Sequence, residues 1–254
     1  MRLKVYKIDY TKLENKQKYL KGFLNKEHLY KQNYLDYINV KVTYHSNALE
    51  GNTLTEIETA LIIEKGITVG GKSINEHHEA LNHYKAFNYL FQLIQDNESP
   101  FVEQDILNIH AIILDNINNK YRYIYRYSNV RILGSNSIFP NYVKVPYLMK
   151  EFDNWLLCTK ILHPIDFAAE SHYKLVSIHP FIDGNGRTSR LLMNGILMKN
   201  QYPPIIIEKS DRLEYINALE SRRIEDNRTH WDNFIYKIMD KTLDYFLELK
   251  EDFS

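Results

Sequence analysis

His179-Pro180-Phe181-Ile182-Asp183-Gly184-Asn185-Gly186-Arg187-Thr188-Ser189-Arg190 reads as a loop that turns into a helix. Pro180 ends whatever helix precedes it, and Gly184 and Gly186 let the backbone turn tightly and approach a ligand closely. The helix that follows runs through Leu191, Leu192, Ile196 and Leu197. The free N–H groups of its first turn form an anion site, which Arg187 and Arg190 reinforce. Asp183 stands just before that site and suits Mg2+ bridging phosphate oxygens. His179 can act as a general base near neutral pH. Singly, a Gly-Asn-Gly is an ordinary turn and a His-Pro an ordinary helix terminus. Together, base, metal ligand, glycine-lined nest and two cations describe phosphoryl or nucleotidyl transfer.

Outward from this loop the chain reads as helical. Nine glycines and seven prolines in 254 residues leave room for long helices. Thr55-Glu56-Ile57-Glu58 is a capping box whose helix runs to a stop at Gly66. Ser73-Ile74-Asn75-Glu76 is a second box, opening an amphipathic stretch through Leu81, Tyr84, Phe87, Leu90 and Leu93. Further helices are expected at about 102–116, 146–159, 165–178, 186–199, 211–223 and 230–249. Residues 121–139 break the rhythm: aromatic and β-branched residues flank a Leu133-Gly134-Ser135-Asn136 turn, which predicts a β-hairpin. The expected fold class is all-α with one small β-hairpin.

Composition narrows the function. Lys+Arg and Asp+Glu both number 32, so the basic excess of a nucleic-acid binder is missing. The lone cysteine, Cys158, supplies neither an internal disulfide nor a cysteine-based zinc site. No second histidine cluster accompanies Asp183 at the spacing of a metal hydrolase. The first residues lack the apolar run of a signal peptide, and no apolar stretch is long enough to span a bilayer. No nucleic acid, no membrane and a cytoplasmic location are the expectations.

The run from His179 to Arg190 resembles the signature of the Fic (filamentation-induced-by-cAMP) domain family, His-x-Phe-x-Asp/Glu-Gly-Asn-Gly-Arg-x-x-Arg, and matches every defined position. Residues 162–176, Leu191–Met198, Tyr202-Pro203-Pro204 and the segment around Tyr215 resemble the family's flanking helices. The resemblance divides the chain into an N-terminal helical extension, 1–40, and a Fic region, 41–254, with its core at about 100–225. It implies a protein adenylyltransferase that moves AMP from ATP, with Mg2+, onto a Ser, Thr or Tyr hydroxyl of a target protein or of the chain itself. In that reading His179 is the base, Asp183 holds the metal, and Gly184, Asn185, Gly186 and Arg187 form the nest. Arg190 reaches the γ-phosphate, and Tyr215 lies in the ATP site. The hairpin corresponds to the family's flap, whose edge at Val130, Arg131, Ile132, Leu133 and Gly134 docks the target by strand addition. A homodimer also fits the family. The alternatives are a Fic-type transferase of UMP, phosphate or phosphocholine, and a non-catalytic nucleotide-sensing regulator.

Far upstream lies Ser46-Asn47-Ala48-Leu49-Glu50-Gly51-Asn52. Ser46 and Glu50 share a helix face, and Gly51 would stop the helix just after the carboxylate. Alone, this is a solvated surface glutamate. Beside the Fic motif it resembles the family's inhibitory segment, Ser/Thr-x-x-x-Glu-Gly/Asn, here N-terminal to the core on a helix at about 41–51. That resemblance implies that Glu50 pairs with Arg190 and withholds it from the γ-phosphate. In some relatives the same glutamate orients water to remove AMP from targets.

Overall fold

The computed structural model describes residues 8–24, 29–96, 99–131, 137–158 and 162–252. Its α-helices are α1 (Thr11–Leu24), α2 (Leu29–Leu49), α3 (Glu56–Lys65), α4 (Ile74–Asp96), α5 (Glu103–Ile113), α6 (Val145–Cys158), α7 (Pro164–Ile178), α8 (Asn185–Lys199), α9 (Arg212–Glu225) and α10 (Arg228–Asp252). Both expected capping boxes form. Thr55 accepts from the Glu58 N–H at 3.2 Å while Glu58 accepts from the Thr55 N–H at 2.7 Å. Ser73 and Glu76 reciprocate likewise. Gly66 closes α3 in the left-handed region at φ 64°.

Helix α8 is the centre of the molecule. It is buried on all sides from Arg187 to Leu197, as expected of a helix that other helices surround. It packs against α7, α4 and α5. A Cβ at Gly195 would stand 2.7 Å from both Leu90 Cδ1 and Phe101 Cζ, so the close approach of α4 depends on that glycine. Helix α10 backs α7, α9 and α1 through Trp231, Phe234, Ile238 and Phe246, each at most 1% exposed. No helix of the described residues is long and apolar enough to cross a membrane.

Helix α2 buries polar side chains. Asn39 donates to the Tyr84 carbonyl, Thr43 meets His83 Nδ1 at 3.0 Å, and Asn47 donates to the Glu79 carbonyl. The helix ends at Leu49, one residue earlier than expected. Glu50 therefore lies in the following turn, which Gly51 completes at φ 103°.

The hairpin expected at 121–139 is a correction. No strand occurs among the described residues 121–131 and 137–139. The backbone there is bonded to the motif loop rather than to a partner strand: the Arg126 N–H donates to the Pro180 carbonyl at 2.8 Å. Tyr123, with φ 62°, turns the chain out of an extended path. Val130 and Arg131 lie in irregular backbone near the surface; Ile132, Leu133 and Gly134 lie outside the described residues.

Candidate active site

Helix α7 delivers His179 and helix α8 receives the loop that follows. His179 is the C-cap of α7 in the left-handed region, φ 51° and ψ 58°, and its N–H donates to the Leu175 carbonyl. The ring lies 4.3 Å from Phe139, centroid to centroid. Nδ1 faces the Val176 carbonyl at a long 3.4 Å, an arrangement that favours the proton on Nδ1 and leaves Nε2 as acceptor. Burial lowers the pKa of His179 to about 4, with Arg223 and Arg126 adding to the effect against the Val176 carbonyl and Glu50. The imidazole is neutral at neutral pH, the form a general base requires.

Between His179 and α8 the loop closes on itself. Asn185 accepts from the Phe181 N–H at 3.0 Å and donates to its carbonyl at 2.9 Å. With only 3% exposure, the Asn185 side chain is a clasp, and what it can offer an anion is its backbone N–H. Gly184 adopts φ 79° at the N-cap of α8. Asp183 leaves 53% of its side chain exposed, and its carboxylate is 3.3 Å from Arg187.

Two residues that the sequence reading did not single out shape this loop. His110 of α5 stacks on Phe181 at 3.6 Å, and its Nε2 lies 3.1 Å from the Asp183 carbonyl. A histidine set among Ile106, Ile109, Ile112 and Ile113 was the available signal, because a polar group on an apolar face must have a partner. Glu79 of α4 pairs with Arg187 at 3.1 Å and accepts from Asn52 at 2.8 Å, which links the nest to the turn behind Glu50. Nothing in the spacing of Glu79 marks it.

Arg190, 5% exposed, gathers the segment from Ser46 to Glu50. Its Nε donates to Ser46 Oγ at 3.0 Å, and one terminal nitrogen donates to the Ser46 carbonyl at 2.9 Å and to Glu50 at 2.8 Å. The other faces the Tyr215 hydroxyl at 3.5 Å, which meets His172 Nε2 at 2.9 Å. Tyr215 is thus buried behind Arg190 as its support, rather than open towards a nucleotide. The Glu50 carboxylate lies directly over Gly186, where an added Cβ would fall on one of its oxygens. Burial raises the Glu50 pKa, but attraction to Arg190 and Arg187 and the hydrogen bond from Arg190 outweigh it, so the carboxyl is held below its usual range. The chain thus brings together His179, Asp183, Gly184, Gly186, Arg187, Arg190, Ser46 and Glu50.

Among the described residues no group of three or more His, Cys, Asp or Glu side chains is placed to hold a metal. Asp183 alone fits Mg2+, which binds through one or two carboxylates when phosphate oxygens and waters complete its shell.

Residues 100–197 match the Fic/DOC family model. Over 207 residues, 80% of this chain and 48% of the relative, the sequence is 43% identical to the protein adenylyltransferase Fic of Nematostella vectensis. The chain spans about half the length of the curated relatives it matches. The fold superimposes on Fic-1 from C. elegans with a TM-score of 0.84 at 28% identity, covering 96% of this chain and 73% of that one. It matches a Fic-domain-containing signalling protein from Bacteroides thetaiotaomicron with a TM-score of 0.85 at 26% identity, covering 96% and 98%.

Proposed function

The chain belongs to the Fic/DOC family, and from that premise we propose that it transfers AMP from ATP to a hydroxyl of a protein and that Glu50 restrains the reaction. One observation carries the reading: a carboxylate of the chain itself stands where an anion belongs, over Gly186 at the start of α8 and 2.8 Å from Arg190. A helix N-terminus flanked by arginines is built for phosphate, and Glu50 occupies its place.

The chemistry follows from the residues. When Glu50 withdraws, Arg190 and the N–H groups of Gly186 and its neighbours can receive the triphosphate, and Arg187 stands beside them. Asp183 would hold Mg2+ there, supplying positive charge to the phosphate oxygens. Neutral His179 takes the proton of a Ser, Thr or Tyr hydroxyl at Nε2. That oxygen bonds to the α-phosphorus, the bond to the bridging oxygen breaks, and diphosphate leaves. The positive first turn of α8 and the arginines stabilise charge on the phosphate oxygens during this exchange. The carboxylate of Glu50 is also where a water-orienting group for AMP removal would stand.

Transfer of label from α-32P-ATP with Mg2+ tests this reading, using wild type, Glu50→Gly and Glu50→Gly/His179→Ala with cell lysate as the source of targets. The expected result is strong labelling with Glu50→Gly, at least about tenfold above wild type, and none without His179. No label from Glu50→Gly sinks the reading, and label from UTP instead would replace the donor. For the reverse activity, AMP should leave a pre-labelled target with wild type and remain with Glu50→Gly.

A further inference from the structure

Arg126 touches no reacting atom in the chemistry above, yet it is 2% exposed and each of its three guanidinium nitrogens donates a hydrogen bond. Nε donates to the His179 carbonyl at 2.7 Å, one terminal nitrogen to the Ser128 carbonyl at 3.0 Å, and the other to the Pro140 carbonyl at 2.5 Å. Its own N–H donates to the Pro180 carbonyl at 2.8 Å. Every one of these acceptors is main chain. One side chain therefore fastens both ends of the segment 126–140 to the peptide that follows the base.

We propose that Arg126 is a positioning residue, holding the His179 imidazole in its left-handed turn and in register with the two ends of segment 126–140. This deepens, and rests on, the reading of His179 as the base for AMP transfer. A non-glycine residue at φ 51° persists only where its surroundings fix it, and the bond to the His179 carbonyl is such a fixture. Phe139, next to the Pro140 anchor, carries the register to the ring face of His179. The charge matters as well as the geometry. The charged groups facing His179 are Arg126, Arg223 from α9, which also lies over Phe139, and Glu50 from the turn after α2. With no carboxylate among its hydrogen-bond acceptors, Arg126 bears directly on the ring and disfavours the imidazolium.

The test uses Arg126→Met and Arg126→Lys in the Glu50→Gly protein, with thermal unfolding as a check on folding. The His179 ring is followed by NMR through its 13Cε1 resonance, assigned with His179→Ala. Arg126→Met should titrate at higher pH than its parent by about one unit, and Arg126→Lys, which keeps the charge, should stay closer to the parent. Both variants should exchange the amides of 126–131 and 137–139 roughly tenfold faster and lose about 10- to 100-fold in AMP transfer. An unmoved titration together with unchanged exchange overturns the proposal. A Glu50→Gly parent that transfers no AMP sinks the assigned activity instead, while titration and exchange still decide the role of Arg126.

Discussion

His179 is guarded against protonation by burial and by two arginines, which gives the reaction a pH signature. An ordinary imidazole would lose about tenfold of its neutral form between neutrality and pH 5.5. With its pKa near 4, His179 should not. The rate of the Glu50→Gly protein is expected to stay level from pH 7.5 to 5.5 and to fall only towards pH 4, as labelling at each pH would reveal. Ser46 offers a finer probe of the brake. Its hydroxyl holds Arg190 at 3.0 Å, but its carbonyl and Glu50 hold Arg190 too. Ser46→Ala should therefore raise labelling, but by less than Glu50→Gly does, because it removes one of the segment's three hydrogen bonds with Arg190 (about 1.5 kcal/mol, the low end for a charged donor). At this scale the motif was legible because its members lie in one stretch of sequence. Arg126, Glu79 and His110 were not, since each reaches the motif more than fifty residues away and only folding supplies that contact.

At the scale of elements, the helices with capping boxes or strong apolar periodicity were readable, whereas of α2 only the end, expected at about 41–51, was. Its interface with α4 uses the buried polar groups of Asn39, Thr43 and Asn47, which interrupt the apolar row of Tyr34, Ile38, Val42 and Leu49 that seats the helix on the core. The missing hairpin is the opposite case. Tyr, Ile and Val between 121 and 139 favour strand, but the anchors from Arg126 to 140, 179 and 180 replace strand pairing in the described residues. Helix α8 offers the sharpest test of packing between elements. Gly195→Ala places a methyl against Leu90 and Phe101, and should lower unfolding stability by about 1–3 kcal/mol, measured in urea, with the site's chemistry spared.

Over the whole molecule, several histidines are buried in neutral form. Burial lowers the pKa of His110, as it does that of His179, to about 4. His83 and His172, both with 0% exposure, are lowered by burial and by Arg190. In the unfolded chain these groups bind protons below about pH 6.5, whereas in the folded chain they do not. Stability is therefore complete above that pH and is lost as pH falls towards the folded values. Denaturant midpoints should drop between pH 7 and 5, with His110 and His179 together contributing roughly 2–4 kcal/mol to the loss. Acid would thus loosen the scaffold before it silences the base.

The order of the chain adds a last consequence. Arg190 meets a carboxylate that precedes it by 140 residues. During synthesis, Glu50 and its helix leave the ribosome long before the loop from His179 to Arg190 does, and domains fold as the chain emerges. The completed nest therefore closes on a carboxylate already waiting for it. On the proposed reading of Glu50, a newly made molecule begins life switched off, and activity is something later events must release.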